Sequence, residues 1–165
     1  MYITFNEYCE LYEPIEEKSF NRLAFEACRV MDVHTTGIDG IKKLKIAFPS
    51  DEDSKEAVTR CAAKVLNLLH QIQEAEAAAS AARGYTETEQ GLQCKIISRV
   101  ESGNEAISYS ETKLANSTID AAVADRSVRD ALISSAIREC LSGLADANGV
   151  NLLYMGRYPA RCCHV

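Results

Sequence analysis

Apolar residues recur at helical spacing in three stretches of the chain. Phe20, Leu23, Ala24, Ala27, Cys28 and Met31 fall on one face of a helix. Val58, Cys61, Ala62, Val65, Leu68, Leu69 and Ile72 form a second such stripe. Val128, Leu132, Ile133, Ala136, Ile137, Cys140, Leu141 and Leu144 form a third. Recurrence at i, i+3, i+4 and i+7 marks an amphipathic helix that buries one side. The informative positions of this sequence are spent on packing, which points to a scaffold or assembly part rather than an enzyme.

Local signals place the ends of these elements. Thr4 or Asn6 caps a short opening helix to about Leu11, and Thr4 with Glu7 fits a capping box. Pro14 suits the first turn of the next helix, with Glu16 and Glu17 favourable at its positive end, and that helix runs to about His34. Thr35-Thr36-Gly37 ends it, with Gly37 the expected left-handed residue. Ile38 to Phe48 is a short helical or irregular connector, broken by Phe48-Pro49-Ser50. Ser50 or Asp51 opens a long helix that continues past Ile72 through an Ala-rich run to Arg83. Helix propensity stays high there after the large apolar stripe has stopped, so this extension either contacts a neighbour or frays in solvent.

Gly84 stops that helix, and Tyr85 to Gly91 reads as a polar loop. Loosely alternating Ile96, Ser98 and Val100, then Ala106-Ile107-Ser108-Tyr109, predict a β-hairpin near 94–110 around turn residues 101–105. Thr112 to Thr118 is a linker. Ile119 to about Leu144 is the last long helix, with Asp125-Arg126-Ser127 as the place where it could break. Asp146-Ala147-Asn148-Gly149 ends it, and Val150 to Met155 follows as an apolar extended segment. The predicted fold is mainly α: a small helical bundle with a short β-hairpin over residues 1–149, and an extended C-terminal tail over 150–165.

Composition narrows the function. A chain of 165 residues fits one domain, with or without a tail, and 47% apolar with 25% charged residues is ordinary for a globular protein. With no Trp and four Phe, the core should be mostly aliphatic. The formal charge of -6 argues against tight nucleic-acid binding. The only dense basic stretch, Lys42, Lys43 and Lys45, reads as a solvated face. An acidic protein can still surround DNA without gripping it. Seven Cys, an odd number, with no leader before Tyr2-Ile3-Thr4-Phe5, read as free thiols in a reducing compartment. No stretch reaches the roughly 18 apolar residues that span a bilayer.

Candidate chemistry is sparse. Cys162, Cys163 and His164 are the most tempting metal ligands, but they lack C-x-x-C spacing and a second cluster. A Cys nucleophile needs a His base, and only His34, His70 and His164 exist. His34 lies near a helix C-terminus, where the dipole favours the imidazolium, and His70 lies just off its stripe. No phosphate loop, H-E-x-x-H or G-x-S-x-G is present. No catalytic residue, metal or cofactor is therefore assigned. The most specific anomaly is the apolar, aromatic segment from Val150 to Tyr158. It either covers the chain's own hairpin or binds another subunit by strand addition or pocket insertion.

The order of these motifs resembles the head–tail connector, or adaptor, proteins of long-tailed bacteriophages. The likeness runs from Tyr2-Ile3-Thr4-Phe5-Asn6-Glu7-Tyr8 through Phe20-Asn21-Arg22-Leu23, Asp32 with Thr35-Thr36-Gly37, and Glu56-Ala57-Val58-Thr59-Arg60-Cys61. It ends with Ile107-Ser108-Tyr109 and Leu152-Leu153-Tyr154-Met155-Gly156. Departures are Tyr12-Glu13-Pro14, where the family often has Gly, and Ser102-Gly103-Asn104-Glu105 in place of Asn-Asp-Gly. Met155 stands where a basic residue is common, and Arg161-Cys162-Cys163-His164 has no counterpart.

The resemblance implies a non-enzymatic virion neck protein, made in the host cytoplasm. It implies a ring, typically of twelve copies, that docks on the portal protein and prolongs the DNA channel. DNA passes without sequence-specific binding, and no membrane is involved. A stopper or tail-terminator neck protein docks next. The tail reaches the portal, with Leu152, Leu153, Tyr154, Gly156, Arg157 and Tyr158 as implied contacts, Arg157 pairing with an acidic group. The alternatives are a stopper or tail-completion protein, or a small Cys/His metal module.

Overall fold

The computed structural model describes residues 1–81, 83–88, 91–101, 106–110 and 117–159. The fold is mainly helical. Its elements are α1 (Phe5–Leu11), α2 (Glu17–His34), α3 (Lys43–Ile46), α4 (Glu52–Ala81), β1 (Arg83–Thr88), β2 (Gly91–Glu101), β3 (Ala106–Ser110), α5 (Thr118–Ala124) and α6 (Arg126–Leu141). The chain divides into two compact units, Met1–His70 joined by the chain from Asp130 onward, and Gln71–Arg129.

In the first unit, α1 begins as its sequence dictates. Thr4 Oγ1 accepts from the Glu7 amide, and the Glu7 carboxylate accepts from the Thr4 amide at 2.7 Å. This reciprocal cap satisfies two donors that the first turn would leave orphaned. Pro14 does not enter the first turn of α2, which starts only at Glu17. Ile15 packs against the core, and residues 13–16 are not helical. From α2 come the buried Phe20, Leu23, Ala24, Ala27 and Met31, while Cys28 is half-buried. Phe20 also meets Phe5 edge-on at 5.2 Å between ring centres and lies 5.8 Å from the Tyr8 ring, fixing α1 across α2.

The first half of α4 is enclosed on more than its stripe. Val58, Cys61, Ala62 and Val65 are buried as the periodicity requires, but Ala63 and Leu66 are buried too. At 3.6 residues per turn these positions cover roughly 200° of the helix surface. Small side chains at Ala24, Ala27, Ala62 and Ala63 let helices approach closely while larger ones interlock. From α6, Ile133, Ile137 and Leu141 complete the cluster.

The second unit holds the end of α4, three strands, α5 and the first turn of α6. The strands form an antiparallel sheet in the order β1-β2-β3. Arg83 pairs with Ile96 and Thr88 with Gly91 across β1 and β2. Ile96 pairs with Ser110 and Glu101 with Ala106 across β2 and β3, with a register shift between Ile97 and Arg99. The stretch read as a polar loop after Gly84 is thus largely strand, with Gly84 itself opposite Lys95. Its lack of alternating apolar residues hid it, because backbone pairing to β2 supplies the order. Residues 102–105 and 111–116, which contain the expected hairpin turn and most of the linker, lie outside the described residues. Ser117 caps α5 by accepting from the Asp120 amide at 3.1 Å. Asp125 separates α5 from α6 in extended conformation, and its carboxylate accepts from the Ser127 amide at 2.7 Å. A short acceptor side chain that captures a backbone N–H ends one helix and starts the next.

Two expectations about glycine and the C-terminus need correction. Gly37 does not take the left-handed conformation; Gly40 does, at φ 76°. Gly37 is required for space instead, since a Cβ there would sit 2.5 Å from the carbonyl oxygen of Gly156. Residues 150–159 are not a free extended tail. An isolated bridge joins Ala145 to Asn151, a turn follows, and Leu152 is fully buried in the core of the first unit. The boundary expected between residues 149 and 150 therefore falls inside that unit.

Replacing Leu66 with Ala should destabilise the protein by about 3 kcal/mol, through lost burial and an unfilled cavity. The half-buried Leu68, which the periodic stripe included, should cost clearly less on the same change. Urea denaturation followed by circular dichroism compares the two, and equal losses would contradict the enclosure of α4.

Candidate partner-binding site

Lys43 lies in α3 with its side chain fully buried. This corrects the reading of Lys42, Lys43 and Lys45 as one solvated face. The short helix turns Lys42 and Lys45 outward and Lys43 inward. A buried ammonium is costly unless each proton finds an acceptor. Lys43 Nζ donates to the carbonyl oxygens of Thr35 at 2.9 Å, Leu152 at 3.2 Å and Tyr154 at 2.5 Å. Three donors meet three acceptors. Burial lowers the lysine's pKa below its ordinary value, and the carboxylates of Asp146 and Asp39 oppose that shift.

Two of those carbonyls belong to the C-terminal segment, which is pinned from several directions. The Ile38 amide donates to the Met155 carbonyl at 2.9 Å, and the Leu152 amide to the Leu144 carbonyl at 2.9 Å. Asp146 is buried; its Oδ1 accepts from the amides of Asn148 and Val150 at 2.9 Å, and its Oδ2 from the Tyr158 hydroxyl at 2.5 Å. The Tyr158 amide donates to Asp39 at 2.6 Å, and this bond holds the Asp39 carboxyl below the usual range. The Tyr154 ring folds over Gly156, and a Cβ there would make this exposed ring swing aside.

A second polar cluster steadies the end of α2. Asp32 is buried in the last turn, where the helix dipole disfavours a carboxylate. It is compensated by the Lys45 ammonium at 3.0 Å and by the Tyr2 hydroxyl, which donates at 2.5 Å. Burial, followed by this bond to Asp32, raises the Tyr2 pKa. Thr35 Oγ1 donates back to the Met31 carbonyl at 2.9 Å and Thr36 Oγ1 to that of Asp32 at 2.5 Å. The Thr-Thr pair thus closes the helix where a glycine cap was expected.

The six residues implied as partner contacts separate into two sets. Leu152 is a core residue, and Leu153 and Tyr158 are partly buried. Gly156 lies against Gly37. Tyr154 and Arg157 face outward. Beside them stand Met155, which lies in the apolar segment singled out from the sequence, and Ile38, which sequence reasoning missed. Met155 is 58% exposed and Ile38 is 80% exposed. The amide–carbonyl bond between Ile38 and Met155 sets their backbones side by side, so the exposed residues Ile38, Tyr154 and Met155 stand on adjoining, anchored backbone. Ile38 carried no periodic signal that could have marked it.

Among the described residues, no group of three or more His, Cys, Asp or Glu could hold a metal. Cys162, Cys163 and His164 lie outside the described residues. Cys61 is buried on α4, with its thiol against that of Cys140 on α6; burial first, and then Cys140, raise its pKa. His34 does not follow the dipole argument, because burial and the nearby Arg138 lower its pKa more strongly than Asp130 raises it. No described helix is long and apolar enough to cross a membrane.

No protein-family model matches the chain, and no similar protein is found among curated proteins or solved structures. The likeness to head–tail adaptors rests on the order of motifs in the sequence.

Lys43→Met should remove the clamp and leave three carbonyls without their donor, at a cost of about 3 kcal/mol. Hydrogen exchange at the Leu152 and Tyr158 amides should accelerate at least ~10-fold; unchanged exchange there would dismiss the clamp. His34 makes a separate prediction about acid. Its folded pKa lies below the ordinary 6.5, so the unfolded chain binds the proton more readily. Stability should fall as pH drops below about 6.5 and level off beneath the folded pKa. Denaturation midpoints of His34→Gln should be flatter across that window than those of the unaltered protein.

Proposed function

We propose that this chain is a structural, non-enzymatic head-to-tail adaptor of a long-tailed bacteriophage. It is a mainly helical subunit that also carries a small antiparallel sheet, made in the host cytoplasm and placed in the virion neck. Copies form a ring, typically of twelve, beneath the portal. The ring extends the DNA channel and offers a platform to a stopper or tail-terminator neck protein. The observation that carries this reading is the exposure of Ile38, Tyr154 and Met155 on adjoining backbone, which we read as a knob beside the exposed Arg157.

A cluster of exposed apolar side chains on one surface marks an interaction site. Here it stands on backbone that Lys43 and Asp39 already hold in place, so little ordering entropy is lost when a partner covers it. In the adaptor reading the knob enters an apolar portal pocket while Arg157 meets an acidic portal group. The partner-facing part of the segment is thus Tyr154, Met155 and Arg157, with Leu152 as its inner anchor. The net charge of -6 suits a channel through which DNA slides without adhesion.

The test is to mix the purified protein with portal rings of the phage that encodes it and to image and sediment the mixture. A collar on the portal is expected. Ile38→Asp with Met155→Asp should weaken binding at least ~10-fold while leaving the helical circular dichroism unchanged. Absence of any portal association by the unaltered protein would overturn the reading.

A further inference from the structure

Two free thiols stand together inside the first unit. Cys61 lies in α4 and is fully buried. Cys140 lies in the last turn of α6, packed against the same core but partly exposed. An ion pair beside them joins the two helices: Lys64, one turn after Cys61, meets Glu139, the neighbour of Cys140, at 2.8 Å. The two thiols are themselves in hydrogen-bond contact. A disulfide tolerates little geometric latitude, so it forms where two cysteine side chains already converge. The partial exposure of Cys140 gives an oxidant a sulfur to reach, while Cys61 can react only with what Cys140 carries inward.

We infer that Cys61 and Cys140 are a redox pair that a small-molecule disulfide, such as oxidised glutathione, closes into a bond stapling α4 to the end of α6. The Cys140 thiol loses its proton and its sulfur attacks one sulfur of the oxidant. That S–S bond breaks, and the first glutathione thiolate leaves with the electron pair and takes up a proton. The Cys61 thiol then loses its proton and its sulfur attacks the Cys140 sulfur, expelling the second glutathione thiolate, which is protonated in turn. Two protein thiols are oxidised by two electrons to one disulfide, and the oxidant is reduced to two thiols. Proximity favours the second step, because Cys61 needs no diffusing partner. A reducing compartment keeps the pair open, and an oxidising medium closes it. The loop so closed contains the whole second unit, and a long loop is where a cross-link removes most freedom from the unfolded chain. The bond would also fix the last turn of α6, from which the chain runs on to the C-terminal segment. None of this depends on the adaptor reading.

The experiment treats the full, reduced chain with excess oxidised glutathione and quenches it in acid. Remaining thiols are then blocked with N-ethylmaleimide in urea, and the peptides are mapped by mass spectrometry. The expected product is a peptide pair joined through Cys61 and Cys140, lighter by two hydrogens and separated again by dithiothreitol. Its thermal midpoint should stand at least ~5 °C above that of the reduced chain. Cys140→Ser, treated alike, reports what glutathione does at the other cysteines; this variant and Cys61→Ala should each lose both the link and the rise. Cys140 recovered with glutathione attached and Cys61 with maleimide would overturn the inference. So would recovery of both as free thiols, a bond from either one to a different cysteine, or a Cys61–Cys140 link that leaves the midpoint unraised. Portal binding does not enter any of these readouts, so the adaptor reading stands or falls separately.

Discussion

The Lys43 ammonium holds together stretches of backbone that lie far apart along the chain. Its three protons reach Thr35 at the end of α2 and Leu152 and Tyr154 near the C-terminus. The arrangement is constrained because a buried charge tolerates no missing acceptor. If the C-terminal segment left, the lysine would lose two of its three bonds. If the lysine were absent, two C-terminal carbonyls and that of Thr35 would lose this donor. Neither part keeps its arrangement alone, so α3 and the chain end act as one structural piece.

That piece sits on a core that is ordinary in kind. Aliphatic and aromatic side chains of α1, α2, α4 and α6 interlock around small residues such as Ala24 and Ala62. Leu152 joins this core from the C-terminal segment, so apolar burial and the ammonium act on the same stretch. The two effects differ in what they specify. Burial of a leucine is tolerant of small shifts, because dispersion and dehydration are non-directional. Three hydrogen bonds to one nitrogen are directional, and they set where the carbonyls stand.

Much of the helical framework was legible in the sequence. The stripes of α2 and α6, the Thr4–Glu7 capping box and the break at Asp125 follow from period and capping chemistry, which are local properties. The missed features are non-local. Leu66 and Ala63 are buried because neighbours enclose α4 on more than one side. The strand β1 exists through its pairing with β2. The inward turn of Lys43 depends on carbonyls more than a hundred residues away. Of the implied contacts, Leu152 went to the core because a single apolar residue in a turn has no period to declare its direction. Ile38 joined the surface for the same reason in reverse.

The mode of fastening bears on how this surface could serve a partner. The C-terminal segment is held largely through main-chain groups: the carbonyls of Leu152, Tyr154 and Met155, and the amides of Leu152 and Tyr158. Main-chain contacts do not depend on which outward side chain is present. The outer residues Met155 and Arg157 are therefore released from the demands of stability, whereas Leu152 is bound by packing and Gly37 by its close approach to the Gly156 carbonyl. A segment built this way can change its outward side chains without losing its fold. In the adaptor reading it would also present them at low entropic cost, since the backbone is ordered beforehand. The same separation explains why an apolar group as exposed as Ile38 is tolerated: its amide serves the structure, while its side chain stands clear of the core.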